Sequence, residues 1–467
     1  MRNLHAIGAP ERRAAIRFCV AGSCLIPCFN VATVITPDSQ KSSPGAEAAV
    51  LSPLRQRDFR IFWTGSLLST MGTQFTQVAM AWQIYELTDS PLQLGLLGLA
   101  RAIPQIALVL VGGLLADAIN RRKLMMCTQA SLFVVSATLT LLTVSGKASP
   151  MVLYLAAMLL ALFTSLDSPT RQATIPSLVP REQLPKALAL NSSQRYVAVI
   201  AGPSLAGIVL AVYGPAACYA VDALSWLVMA VSLSFIRTRM QEGRGWGAVS
   251  LHSLREGLKF VSGHAVIFPL MLMDFGATFF GSAKALLPIY ARDILAVGPQ
   301  GLGLLYAASA AGSLSAAVGL SMFGGVRWPG RWILGGVAAF GVCTVFFSGS
   351  RTFWLSFLLL AGAGAGDTTS AILRGTANQL STPDELRGRM SSINSMFTNG
   401  GPHLGQLESG LVAAWLGAEL SALTGGLATL AIVAGIAAAF PAIRRFQIGK
   451  EIPLKETPAT SPSRSTS

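Results

Sequence analysis

Several ionisable side chains lie where the chain is otherwise apolar: Asp274, Asp367, Asp222, Glu408, Arg101, Lys284 and His403. Burial away from water favours the neutral form of a carboxyl group, which is what reversible proton uptake requires. Asp274 and Asp367 are therefore the candidate proton-coupling residues. The competing reading is a structural carboxylate paired with a neighbour, and at Asp367 the glycine run GAGAGD (362–367) supports it, because such runs let helices pack closely. Arg101 presents a planar guanidinium that matches carboxylate or catecholate groups, with structural ion pairing as its alternative. Lys284 and Glu408 fall at similar depth and form either a gate or a permanent pair. Thr70, Thr73, Gln74 and Gln77 recur at helical spacing, a polar stripe that faces a path through the molecule or a polar contact between helices. With Arg101, Asp222, Lys284 and Glu408 they make up the candidate substrate path or outer gate. His403 is a proton relay or a hydrogen-bonded structural residue.

No catalytic pattern accompanies these groups. The chain lacks H-E-x-x-H, G-x-S-x-G and a phosphate loop, and its histidines (5, 252, 264 and 403) do not cluster. Cysteines at 19, 24, 28, 127, 218 and 343 show neither a disulfide framework nor paired ligand spacing. The expectation is no enzyme, no metal site and no cofactor.

The elements that must position these residues are membrane helices. Of 467 residues 52% are hydrophobic and 12% charged, with mean hydropathy +0.56, whereas a soluble chain carries about 25% charged residues. A bilayer core takes about 20 apolar residues per helix. Spans are expected near 61–85, 93–116, 124–145, 150–171, 189–213, 216–236, 266–290, 301–324, 331–349, 353–374, 390–414 and 419–440. The net charge of +14 (35 basic, 21 acidic) sits mostly in alternate loops, among them Arg55–Arg60, Arg121–Lys123, Arg181–Lys186, Arg237–Lys259, Arg387–Arg389 and Arg444–Arg445. The opposite loops hold only Lys147, Arg292 and Arg351. That asymmetry places both ends of the twelve-span unit in the cytosol and reads as a membrane signal rather than a nucleic-acid surface.

The polar break 237–264 divides two echoing halves. RQATIPSLVPREQLPKALALN (171–191) parallels RGTANQLSTPDELRGRMSSIN (374–394), and Gly202-Pro203 parallels Gly401-Pro402. The fold expected is an all-α membrane protein of twelve transmembrane helices in two six-helix bundles, 51–236 and 265–443, joined by a cytosolic loop 237–264. Residues 444–467, rich in Ser, Thr and Pro, read as a disordered cytosolic tail. Residues 1–50 fit neither a cleaved signal nor a further span, since either contradicts the side assigned to Arg55–Arg60. They are expected to be an extension with no packed role, disordered or upstream of the true start.

The segment GLLADAINRRK (113–123) resembles the loop between the second and third spans of major facilitator transporters, with Gly113, Leu115, Asp117, Arg121 and Arg122 on its anchor positions. Ala118 stands where a basic residue is usual and Asn120 where a second glycine is usual; Asn tolerates the left-handed backbone that glycine supplies. The phrases at 57–104, 166–192 and 383–410 resemble the enterobactin-exporter-like branch of bacterial efflux proteins, over about 51–440. The resemblance implies proton-driven export of a small amphipathic molecule, siderophore- or drug-like, by a monomer in the bacterial inner membrane. It assigns gating to Gly113, Asp117, Arg121 and Arg122, with Asp167, Arg171 and Arg195 as a cytosolic latch. AVIAGPSLAG (198–207) resembles the exporters' glycine–proline motif, with Gly202 and Pro203 at a helix kink. A lipid or metabolite carrier on the same fold, or a transport-inactive sensor, is the alternative.

Overall fold

The computed structural model describes residues 52–118, 120–238, 266–322, 326, 328–382 and 387–445, without the side chains at 109–118, 380, 387–389, 391–393, 395, 396, 399, 442 and 445. The extension 1–50, the central loop beyond Thr238 and the tail beyond Arg445 lie outside the described residues.

Helices follow one another as α1 Arg57–Thr88, α2 Pro91–Ala118, α3 Arg121–Val144, α4 Pro150–Leu178 and α5 Leu184–Phe235, then α6 Ile267–Phe280, α7 Gly298–Met322, α8 Pro329–Ser348, α9 Phe353–Ser381, α10 Arg387–Leu416 and α11 Ala418–Ala439. Gly214, at φ 77°, breaks α5 into two limbs at the boundary expected between the fifth and sixth spans. Local chemistry fixes the ends. Ser149 accepts a hydrogen bond from the Val152 N–H (3.4 Å) ahead of Pro150, the residue type suited to a first helical position. Asp89 closes α1 in a left-handed conformation, its N–H donating to Tyr85 O at 2.9 Å.

Among the described residues nine stretches are long and apolar enough to cross a membrane. The two limbs of α5 fall in one of them. The serine-, threonine- and glutamine-bearing α1 and α10 are absent from that set. Large side chains that point outward, such as Leu141, Val144, Phe346, Trp354 and Trp415, suit a lipid surface.

Packing sorts the helices into two groups. α1 and α3 pack on α5, and α2 and α3 on α4; α7 and α8 pack on α9, α8 on α11, and α6 on α10 and α11. The groups meet through α2 against α10 and α5 against α7. We call the end carrying Arg121 and Arg122 the basic end, and the end carrying Asp89, Gly214 and Gly417 the far end. At the far end one apolar cluster runs through both groups, including Ile84, Leu97 and Tyr219 with Leu287, Tyr290 and Leu302. Towards the basic end the core separates: Phe59, Phe62, Met125 and Leu233 belong to one cluster, Leu270, Ile333 and Ile436 to another.

Two expectations change. The seventh span, expected to be continuous over 266–290, stops at Gly281 and resumes through a 3-10 turn, Ala283–Leu286, and a π turn, Tyr290–Ile294. Pro288 cannot donate to the Lys284 carbonyl; the Leu287 N–H and the Tyr306 hydroxyl (3.4 Å) serve that oxygen instead. Asn120 is not left-handed but, at φ −55°, caps α3, its side chain accepting from the N–H groups of Arg122 (3.1 Å) and Lys123 (3.4 Å). The one non-helical backbone position inside α5 among the described residues is Gly214, while Pro203 sits within the helix with helical backbone angles. Gly202 gives room to α1: a Cβ there would meet Gln74 Cβ at 2.7 Å.

Candidate functional site

A cavity of about 600 Å³ lies between the two groups. Its walls come from α1 (Gln74, Gln77), α2 (Arg101), α5 (Ser192, Arg195, Tyr196), α7 (Tyr306, Ser309, Ser313), α9 (Thr368), α10 (Gln406) and the 3-10 turn (Lys284). The polar stripe of α1 faces this space and a neighbouring one of about 280 Å³, which takes in Thr70, Thr73, Asp167, Arg171 and Arg195. The Thr70 and Thr73 hydroxyls donate back to Ser66 O (2.8 Å) and Ser69 O (2.9 Å), leaving Gln74 and Gln77 to offer hydrogen bonds to the central cavity.

Glycines close the cavity at the far end. A Cβ on Gly410 of α10 would lie 2.6 Å from Gly95 Cα of α2, and one on Gly303 of α7 would lie 2.3 Å from Pro203 O of α5. Backbones this close leave no room for a side chain. Polar contacts also join the groups here. Arg292 bridges to Asp89 at 2.6 Å, and the Tyr85 hydroxyl donates to Asp293. Lys284 and Glu408, expected as a gate or a permanent pair, are joined by no ion pair among the described residues. Lys284 lies on the cavity wall, while Glu408 accepts from the Ser409 hydroxyl at 3.4 Å. The break at Gly281 moves Lys284 off the helical path that their matched depth assumed.

Two arginines, Arg171 half-buried and Arg374 buried, sit at equivalent places of the repeat. Arg171 of α4 pairs with Asp167 one turn earlier and donates to Ser66 (3.1 Å) and Ser69 (2.8 Å), while Asp167 also accepts from Gln129 (2.6 Å) and Thr128 (3.2 Å). Arg374 of α9 has Ser370 one turn earlier (2.9 Å) and takes its carboxylate from α6, Asp274, at 2.5 Å. Each half thus holds one neutralised arginine, with the carboxylate on the arginine's own helix in one half and on a neighbour in the other. Asp274 is buried in that pair, and Thr398 lies 3.4 Å from its other oxygen. Asp367 is half-buried on α9 and makes no hydrogen bond among the described residues. Sequence reasoning did not nominate Arg374; its signal was its register with Arg171 at the head of each repeat.

Asp222 is buried, with Oδ2 accepting from Thr76 (2.8 Å) and Ser136 (2.7 Å) and Oδ1 without a partner. It lines a small space of about 110 Å³ with Arg101 and His403, whose Nδ1 is also unpartnered. At the basic end, Arg121 donates to Ala173 O (3.0 Å), and Arg122 to Leu233 O and Ser234 O (both 3.1 Å). These are carbonyls at the C-terminal parts of α4 and α5, where cations are favoured. Gly113 and Asp117 lie in α2, but their side chains lie outside the described residues. Arg195 does not join the Asp167–Arg171 pair; it projects into both larger spaces.

A closed end, a polar cavity between two repeated groups and neutralised arginines in each half are the geometry of a carrier. Residues 48–461 match the transmembrane secretion effector family. The chain belongs to that family. Its relatives in this family include the enterobactin exporter EntS of Escherichia coli O1:K1 / APEC, 25% identical over 394 residues, 83% of this chain and 93% of that protein. The staphyloferrin A transporter of Staphylococcus aureus is 27% identical over 187 residues, 39% of this chain and 47% of that protein. The macrolide efflux protein A of Streptococcus pyogenes is 22% identical over 269 residues, 57% of this chain and 66% of that protein. The match therefore spans about half the length of one of these relatives and 66% of another. Among solved structures, a bacterial homologue of the iron transporter ferroportin superposes with TM-score 0.64 at 18% identity, over 84% of this chain and 99% of that one. A POT family transporter gives TM-score 0.67 at 11% identity, over 83% and 97%. The chain thus has the major facilitator fold and is a multi-pass membrane protein of a transporter family.

Proposed function

We propose that this protein is a proton-coupled exporter of a small amphipathic molecule, siderophore- or drug-like, that works by alternating access as a monomer in the bacterial inner membrane. Counting both limbs of α5, the broken seventh element and the polar α1 and α10 as crossings gives twelve, in bundles 51–236 and 265–443 with both ends cytosolic. The observation that carries the reading is the core itself: one apolar cluster joins the two groups at the far end, and separate clusters serve them towards the basic end. A cavity between groups sealed at one end suits the inward-open state of an exporter. The named cargoes of the relatives, siderophores and macrolides, support export.

Asp274 remains our coupling candidate, with Asp367 on the adjoining helix. A proton on Asp274 competes with Arg374, so protonation releases a buried guanidinium and unbalances the α6–α9 contact. Gating at the basic end falls to Gly113, Asp117, Arg121 and Arg122, and the latch to Asp167 and Arg171 with Arg195 beside them on the wall of the neighbouring space. Everted membrane vesicles with an imposed pH gradient test the reading, using a fluorescent dye and an iron-free siderophore. Accumulation that collapses with the gradient and in Asp274→Asn is expected. Gradient-driven accumulation that survives the substitution removes Asp274 from the coupling step. Accumulation of neither compound overturns export.

A further inference from the structure

Resting on the reading of the central cavity as the cargo site, we propose that it takes an organic anion carrying more than one negative group. Arg101, Arg195 and Lys284 reach the cavity, and no Asp or Glu is among its lining residues. None of these three cations makes an ion pair among the described residues. Arg171 and Arg374 show how the same fold treats cations it keeps in place: each has a carboxylate and a hydroxyl as partners. Arg101 has five N–H donors, and its one hydrogen bond among the described residues is to Met80 Sδ, at 3.8 Å, a weak acceptor. Asp222 shares the adjoining small space with Arg101 but is held by Thr76 and Ser136 and forms no ion pair with it.

Arg101, drawn partly out of water inside a membrane protein, is costly unless countered, whereas Arg195 and Lys284 are exposed to the cavity. Three cations in one cavity also repel one another, so the missing countercharge belongs to whatever occupies the space. A cationic cargo is disfavoured by the same sum: at an effective dielectric of 20, one like charge at ~8 Å weakens binding roughly thirtyfold. Two further features narrow the class. The remaining wall mixes hydrogen-bonding groups (Gln74, Gln77, Gln406) with apolar ones (Leu94, Leu97, Val199), which fits an organic skeleton rather than an inorganic ion. The volume of about 600 Å³ lies within the range of small-molecule sites, about 300–1,000 Å³. Lys284 sits on the 3-10 turn of the broken element, and backbone that departs from the α-helix at membrane depth is tolerated where it is buried in protein or lines a cavity.

The test is binding to the purified full-length protein in detergent, read by fluorescence polarisation. Carboxyfluorescein is the anionic probe and rhodamine 6G the cationic probe of similar skeleton. Carboxyfluorescein is expected to bind saturably, more weakly as salt rises. Arg101→Gln and Lys284→Gln should each weaken it about tenfold, the loss of one charge-assisted contact, and Arg101→Lys should restore part of the loss. Competition by citrate but not pyrophosphate would assign carboxylate groups; the reverse would assign phosphates. Should Arg101→Gln fail to fold, Lys284→Gln and Arg195→Gln, both at exposed side chains, still decide. Absent carboxyfluorescein binding, binding indifferent to these substitutions, or tighter binding of rhodamine 6G overturns the anionic class. Protein-dependent export of rhodamine 6G from vesicles would then leave the exporter reading intact, whereas anion binding without any flux would sink export and keep the site.

Discussion

Arg374 and Asp274 show how one buried pair constrains a helix interface. Both are about 5% exposed, and their bridge joins α9 to α6 across 100 residues of sequence. Removing one partner strands a charge, so Arg374→Gln or Asp274→Asn alone should destabilise the protein by about 3–5 kcal/mol, while the two combined should recover most of that. Thermal unfolding of the two singles and the double in the same detergent measures the coupling; additive effects would show that the pair is not energetically joined. Arg171→Ala should cost less at its own site, because Asp167 keeps Gln129 and Thr128 as donors. The two halves thus reach the same neutral state by different means, one with the carboxylate within a helix and the other with it across helices.

At the scale of elements, Asp58 in the first turn of α1 receives the backbone N–H groups of Arg237 (3.1 Å) and Thr238 (2.8 Å) and the Thr238 hydroxyl (2.6 Å). It ties the chain leaving α5 to the start of α1. Burial alone raises its proton affinity, but these hydrogen bonds outweigh it and hold the carboxyl below its ordinary value of 3.8. A depressed folded-state value means that its stabilisation is complete above 3.8, the unfolded value, and fades as pH falls through the lower folded one. Asp58→Asn should therefore lose about 1–2 kcal/mol near neutral pH, and the difference from wild type should shrink in acid below that value. Denaturation followed against pH checks it; a difference independent of pH would contradict the assignment. Such ties also mark what was legible in the sequence. Helix positions, the break at 214, the polar stripe and the repeat all follow from hydropathy and spacing, which are local properties. The pairing of Asp274 with Arg374, the Asp89–Arg292 contact and the separation of Lys284 from Glu408 were not legible. They depend on which faces of distant helices meet, and on a break at Gly281 that turns Lys284 away from the register of a continuous helix.

For the molecule as a whole, the closed far end depends on glycines that no larger residue can replace. Gly410 and Gly95 bring α10 and α2 together, and Gly207 and Gly303 do the same for α5 and α7, where a Cβ on Gly207 would lie 2.6 Å from Pro299 O. These crossings are between the two groups, so a side chain there strains this arrangement while leaving the packing within each group untouched. Gly410→Leu would place its first carbon 2.6 Å from Gly95 Cα and 2.8 Å from Pro91 O, backbone atoms that cannot rotate aside. Overpacking of this kind costs about 1–3 kcal/mol, which shifts a two-state equilibrium by roughly 5–150-fold towards the state in which the far end is open. Spin labels at Glu86 and Ala296, on opposite sides of the closed end and both exposed, read that opening as a distance. The expected result is a longer distance in Gly410→Leu than in wild type, with little loss of thermal stability because each group keeps its own core. An unchanged distance with a large stability loss would mean that the two groups are one rigid body, and that this end does not open.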